Sequence, residues 1–133
     1  MKDINDKIIE FLKKDARTPF LQIAKRLNVS EGTIRKRVKD LVKKGTIKKF
    51  TMETSSEAAA IIEIITNPET ATDKISSSIK KLDVGTVLEV AGRFSILCHV
   101  NTKNLSEINE IVEKIRAIKG VMQTETFPIL KVN

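Results

Sequence analysis

Asn28 to Gly45 reads NVSEGTIRKRVKDLVKKG, and its turn residues, caps and charges decide what the first third of the chain is. Asn28 tolerates the left-handed backbone that a tight turn often needs. Ser30, two residues on, has the side chain of a helix N-cap, with an oxygen for an orphan amide of the first turn. Ile34, Val38, Leu41 and Val42 then recur at helical spacing as one apolar stripe, and Gly45 stands where a C-terminal stop belongs. At about 100° per residue, Gly32, Lys36, Lys39 and Lys43 point away from that stripe, with Thr33 and Arg35 flanking them.

Working outward, the preceding residues predict two more helices. Ile4, Ile8, Phe11 and Leu12 share one face, with Asp3 and Asp6 in the first turn and Lys13 and Lys14 in the last, favourable for the helix dipole. Thr18 followed by Pro19 reads as a cap with proline at the first helical position, and Phe20, Ile23, Ala24 and Leu27 form the next stripe. Ala24 is small enough there to let a third helix cross closely. Downstream, Thr46 to Met52 alternates roughly apolar and polar and predicts a strand or wing, and Thr54-Ser55-Ser56-Glu57 breaks the pattern as a linker.

Beyond the linker the period changes. Ala58 to Thr66 reads as a buried strand closed by Asn67-Pro68; Ile75, Ile79 and Leu82 give a helix; Val84 to Val90 and Phe94 to Val100 read as strands around the turn Ala91-Gly92-Arg93. Asn104 with Glu107 opens a helix carrying Leu105, Ile108, Ile111, Val112 and Ile115, Gly120 ends it, and Val121 to Phe127 is a fourth strand. The expected fold class is therefore α+β. An N-terminal, winged helix-turn-helix domain occupies 1–50, a linker 51–57, and a βαββαβ, ferredoxin-like domain with two helices on one side of an antiparallel sheet occupies 58–133.

Charge is divided the same way. The first 50 residues hold fifteen of the 24 Lys and Arg and six of the 17 Asp and Glu, a net of +9, whereas the remainder is −2. A polyanion-binding module joined to a body with another task follows. A domain of roughly 50 residues is near the lower limit for folding alone, so oligomerisation is expected. With five Phe and no Trp or Tyr, binding of nucleic acid by stacked aromatics has little support. Cys98 is the sole cysteine, which excludes an internal disulfide and fits a reducing compartment. There is no signal-peptide pattern at the start, and the longest apolar run, Ala58 to Ile62, is too short for a bilayer. The expectation is a cytoplasmic protein with no membrane partner.

Three helices with a tight turn before a cationic third helix predict that this helix enters the major groove of double-stranded DNA by its N-terminal half. Thr33, Arg35 and Lys36 are the candidates for base edges, Arg35 and Lys36 suiting guanine and Thr33 a base edge or thymine methyl. Ser30 begins that helix, and Glu31 either accepts from cytosine or only favours the helix dipole. Lys39, Lys43, Lys44, Lys48 and Lys49 are assigned to phosphates, which position without specifying sequence. Arg37 lies near the apolar boundary, where an ion pair or a packed stem competes with DNA contact.

No catalytic constellation is found, and no cofactor or metal is expected. His99, the only histidine, and Cys98 fall on opposite faces of a strand and read as structural. Ser76 to Ser78 have no activating partner in sequence, and Gly85 to Gly92 lacks the spacing of a phosphate-cradling loop.

Asp6-Lys7, Ile8-Ile9, Leu12, Asp15-Ala16-Arg17, Ile23-Ala24, Val29-Ser30, Thr33-Ile34, Arg37-Val38, Leu41, Gly45, Ile47-Lys48 and Phe50-Thr51 form one pattern, joined later by Gly92, Ile118-Lys119-Gly120-Val121, Thr124 and Thr126. Along nearly the whole chain this resembles the leucine-responsive/asparagine-regulator (Lrp/AsnC), or feast/famine, transcription regulators. The resemblance implies a DNA-binding helix-turn-helix, a linking strand, and a C-terminal domain that pairs sheets into dimers and then tetramers, octamers or larger rings. It also implies an amino-acid effector held between dimers near the turn joining the second and third strands, with Gly92, Arg93, Phe94, Ser95 and Thr124 as the matching positions.

The chain departs from the family at that turn and in the stretch between Phe50 and Ala58, which is short. Where members commonly carry Gly-x-x-Asp, it reads Gly92-Arg93-Phe94-Ser95. A carboxylate partner for an amino group is lost, and Arg93 is a cation for a carboxylate or phosphate, a solvated turn residue or half of an interface ion pair. The function expected is a sequence-specific transcriptional regulator, dimeric or higher, modulated by an amino acid or related metabolite. The alternative is a nonspecific, chromatin-organising DNA-binding protein; an enzyme is not expected.

Overall fold

Side chains adjacent in sequence set where the first and third helices start. In the computed structural model, which describes residues 2–55 and 58–133, α1 (Ile4–Lys14) begins at Asp3. Its carboxylate accepts from the Asp6 amide at 2.9 Å, and the Asp6 carboxylate accepts from the Asp3 amide at 3.4 Å. For α2 (Phe20–Leu27) the expected start is corrected, because Pro19 and not Thr18 is the N-cap. The Thr18 hydroxyl instead donates to the Asp15 carbonyl at 2.6 Å, within a turn that the Asp15 carboxylate also holds by accepting from the Arg17 amide at 2.9 Å. A local turn has captured the capping group.

α2 stops at Asn28, left-handed at φ 56° and ψ 47°. α3 (Glu31–Lys43) starts two residues later on Ser30, whose Oγ accepts from the Thr33 amide at 3.1 Å. Gly45, at φ 79°, turns the chain off α3 in a conformation that a Cβ disfavours. Ile8, Leu12, Ile23, Ala24, Ile34 and Val38 form the core of this unit, with Phe11, Phe20, Leu27, Val29 and Ile47 packed around it. Val42, expected on the buried stripe, is 45% exposed. It lies roughly 80° around the helix from Ile34, whereas Leu41 is about 20° away and takes the buried place.

Of the strand or wing expected over 46–52, the strand is corrected, since 46–55 form no strand. Extended backbone needs a neighbouring strand to bond to, and none lies beside it among the described residues. Ile47 alone is tied down, donating its amide to the Leu41 carbonyl at 3.1 Å, while Phe50 and Met52 are 52% and 81% exposed.

The chain divides into two compact units, the first ending at Thr54 and the second starting at Ser55. Ser56 and Glu57 of the expected linker lie outside the described residues. In the second unit β1 (Ala58–Thr66), α4 (Thr72–Lys80), β2 (Gly85–Glu89), β3 (Ile96–Thr102), α5 (Leu105–Arg116) and β4 (Val121–Pro128) follow in the expected βαββαβ order. The sheet is antiparallel throughout, in the order β2-β3-β1-β4. The second helix-to-strand region is shifted from expectation: α4 ends before Leu82, and β3 begins at Ile96 rather than Phe94. Ser95 belongs to the turn, accepting from the Val90 amide at 2.9 Å and donating its own to the Ile64 carbonyl at 3.1 Å.

Period-two alternation gives the sheet one covered face. Ala60, Ile62, Ile64, Ile96, Cys98 and Val100 pack with Ile75 and Ile79 of α4 and Ile108 and Ile115 of α5. Their neighbours face the other way: Ile61 and Leu97 are half-buried, and Leu88 and Phe127 are 46% and 42% exposed. At Gly85, φ 157°, a Cβ would stand 2.0 Å from the His99 carbonyl oxygen, so the β2–β3 edge closes only on glycine.

Two consequences are measurable. Ala24 is 2% exposed, and Ala24→Leu should cost about 1–3 kcal/mol through overpacking, lowering the denaturation midpoint of the N-terminal unit; an unchanged midpoint would show that a small residue there does not set the packing. Burial pushes the Cys98 thiol up from 9.0 to about 11. An unfolded thiol therefore ionises first, so Cys98 leaves stability untouched below the ordinary thiol value and erodes it as pH rises from there toward the folded value. A thiol reagent near neutral pH should label only unfolded chain, and stoichiometric labelling of the native protein would contradict a closed core.

Candidate nucleic-acid interface

The Asn28 turn and the Ser30 cap orient α3, and the buried stripe Ile34, Val38 and Leu41 turns its other side outward. Ser30 is occupied by capping: its Oγ also lies 2.8 Å from the Thr33 hydroxyl, so Thr33 offers its methyl and a hydroxyl already shared. Glu31 and Thr33 are half-buried, while Arg35, Lys36, Lys39, Lys43 and Lys44 are exposed. Lys48 and Lys49 are exposed in the segment after Gly45. Among the described residues none of these six lysines is in an ion pair, so their charge is available to a polyanion.

Arg35 is arranged differently. Its Nη2 donates to Glu31 Oε1 at 2.6 Å one turn earlier, and its Cζ lies 5.5 Å from the centre of the Phe20 ring. Nothing in the sequence alone marks Phe20 or Asn5 as a site residue. Phe20 sits on an apolar stripe and so looked purely structural. Asn5 Oδ1 accepts from Arg37 Nη1 at 3.3 Å, a hydrogen bond from α1 to α3 rather than the ion pair considered for Arg37. Beside it, Asn5, Thr33, Lys36, Arg37, Asp40, Leu41 and Lys44 line an open pocket of about 440 Å³. A second groove, about 730 Å³, runs between the end of α1 and residues 46–53, with Leu12, Ile47 and Phe50 among its apolar lining and Lys13, Lys14, Arg17, Lys48 and Lys49 among its cations.

In the second unit Gly92, Arg93, Phe94 and Ser95 lie in the β2–β3 connection. Arg93 is exposed and Phe94 half-buried. The Ser95 hydroxyl accepts from Thr66 Oγ1 at 3.1 Å. Thr124 is on β4 opposite Ile64, whose other neighbour is Ile96 of β3, so β1 separates Thr124 from the other four. Cys98 is in the core and His99 half-buried on the opposite side of β3. Among the described residues no three His, Cys, Asp or Glu converge as metal ligands.

Comparison with known proteins gives two matches to family models: "Winged helix-turn-helix DNA-binding" over residues 1–48 and "Lrp/AsnC ligand binding domain" over residues 59–132. The chain is 41% identical to the HTH-type transcriptional regulator LysM of Sulfurisphaera tokodaii, an alignment covering 99% of each protein. The crystal structure of PH0061 superposes with a TM-score of 0.89 at 25% identity, covering 100% of this chain and 95% of that one. A feast or famine regulatory protein from M. tuberculosis, solved in complex with L-methionine, shares the fold at a TM-score of 0.86 and 20% identity, covering 98% of this chain and 92% of that one.

Proposed function

The chain belongs to the Lrp/AsnC family of transcriptional regulators, and from that premise we propose that α3 reads a DNA sequence while the second unit assembles protomers and senses an amino acid or related metabolite. The observation that carries the reading is the division of labour on α3. Arg35 is held in place near the N-terminal end, whereas Lys36, Lys39, Lys43 and Lys44 along the outer face have no ion-pair partner among the described residues. In the proposed complex Thr33, Arg35 and Lys36 meet base edges, and Lys39, Lys43, Lys44, Lys48 and Lys49 grip phosphate. The functional limits proposed are 1–50 for DNA binding, 51–57 for the linker and 58–133 for assembly and effector binding.

Self-association is supported by the sheet face that α4 and α5 leave uncovered, where Leu88 and Phe127 remain 46% and 42% exposed; sheet-to-sheet pairing of two copies would remove them from water. In a dimer the two α3 helices meet half-sites of a pseudo-palindrome one or more helical turns apart. The effector site proposed is Gly92, Arg93, Phe94 and Ser95 with Thr124. An amino acid in the M. tuberculosis structure supports the class of ligand. Ser95 stands where the family carries Asp, so an effector amino group lacks that carboxylate here, and Arg93 offers a cation instead. No helix among the described residues is long and apolar enough to cross a membrane, and action in the cytoplasm is part of the proposal.

Arg35→Ala should cost about 1–3 kcal/mol on the specific site and relax preference at one base pair per half-site. Lys43→Ala should weaken all sequences alike and reduce the salt slope by about 1. If both variants lost specific and nonspecific binding equally, the roles of reader and clamp would be wrong. A genome-wide binding map with and without an amino-acid mixture tests the regulated switch. Peaks on a shared pseudo-palindrome that move with the mixture support it; a featureless, unchanged map and a specificity ratio near one, rather than about 10³ or more, would favour DNA packing instead.

A further inference from the structure

Two side chains outside the row of DNA-facing cations set the direction of Arg35. Glu31 holds one guanidinium N–H at 2.6 Å, and the Phe20 ring of α2 lies against the same group at 5.5 Å. The Arg35 side chain is 65% exposed, so these contacts do not bury it. They aim it. Guanidinium has five N–H donors in a rigid fork, and one bond to Glu31 leaves enough for the two-point contact that guanine offers in the major groove. The lysines along α3 have no comparable partners among the described residues.

A surface pair of this kind contributes little to stability, and a carboxylate on a face that meets phosphate opposes binding to any sequence. Both facts point to discrimination as the use of the arrangement. An unrestrained arginine would be free to reach a phosphate, and it would have to surrender its rotamer freedom on meeting a base. Held between Glu31 and Phe20, it has less freedom to give up, and the nearby carboxylate penalises phosphate as its alternative partner.

We propose that Glu31 and Phe20 are positioning residues for sequence specificity, pre-aiming Arg35 at a guanine edge. The proposal deepens the assignment of Arg35 as a reader and rests on it.

The test is in-vitro selection from a random duplex library by the full-length chain and its variants, with affinity for sheared random DNA measured at two salt concentrations. Arg35→Ala checks the premise by losing preference at one base pair per half-site. Glu31→Gln and Phe20→Leu should weaken preference at that same base pair by about three- to tenfold, part of the discrimination that a full two-point contact supplies. Glu31→Gln should also tighten binding to random DNA, whereas Phe20→Tyr, which keeps the ring, should restore selection. If Glu31→Gln and Phe20→Tyr keep normal melting, a folding defect in Phe20→Leu cannot account for the pattern. Full preference in both Glu31→Gln and Phe20→Leu at the base pair lost in Arg35→Ala would overturn the positioning role and leave the reader intact. Unaltered selection by Arg35→Ala would overturn the reader assignment and this inference with it.

Discussion

Three residues between α2 and α3 govern the first unit. Asn28 takes the left-handed conformation that ends one helix, and Ser30 caps the next. The direction in which α3 leaves that turn decides which of its residues are buried. Ile34, Val38 and Leu41 go inward, leaving Lys36, Lys39 and Lys43 on the outside without a separate device to place each one. Ala24 completes the arrangement, since a larger side chain in that 2% exposed position would push on the packed helices. The cationic surface is thus a by-product of a turn and a stripe, and its chemistry inherits their rigidity.

In the second unit the corresponding constraint is the register of β1. With Ile62 and Ile64 directed to the helices, Glu63 must face the uncovered side, where it lies opposite Glu125 of β4. Like charges directly opposed across strands are destabilising. The row across the sheet at that level reads Leu88, Leu97, Glu63 and Glu125, and the next reads Thr86, His99, Ile61 and Phe127. Leu97 on one side and Ile61 and Phe127 in the next row therefore flank a pair of carboxylates. A partner laid flush over the pair would have to match or desolvate them, at considerable cost, so the pair restricts how this face can associate.

Features set by neighbours in sequence were legible without coordinates. Ser30, Asn28 and Asn104 act as caps or turn residues because the groups they satisfy are within a few residues, and β1 alternates because both its flanks bury the same face. Competition and distance hid the rest. Thr18 had two partners within reach, and the turn to Asp15 took it. Val42 was on the edge of a stripe whose width depends on how α1 and α2 pack. Residues 46–52 have strand-like alternation but, among the described residues, no strand to bond. Phe20 and Arg35 are fifteen positions apart, and neither stripe nor motif brings them together; only the helix-turn-helix does.

The opposite charge balance of the two parts acquires a physical sense from this anatomy. Free lysines on one helix of a small unit attract any duplex, and salt weakens that attraction steeply because counterions are released on binding. Such a unit acting alone discriminates through few side chains. In the proposed dimer the second α3 binds as an intramolecular event, so affinity multiplies without a new contact on either helix, provided the spacing of the two helices matches that of the half-sites. Under that proposal, control of protomer geometry by the second unit would regulate DNA affinity without touching Arg35 or its supports. In that arrangement a domain whose nine Lys and Arg are balanced by nine Asp and Glu over 58–133 would govern a strongly basic one.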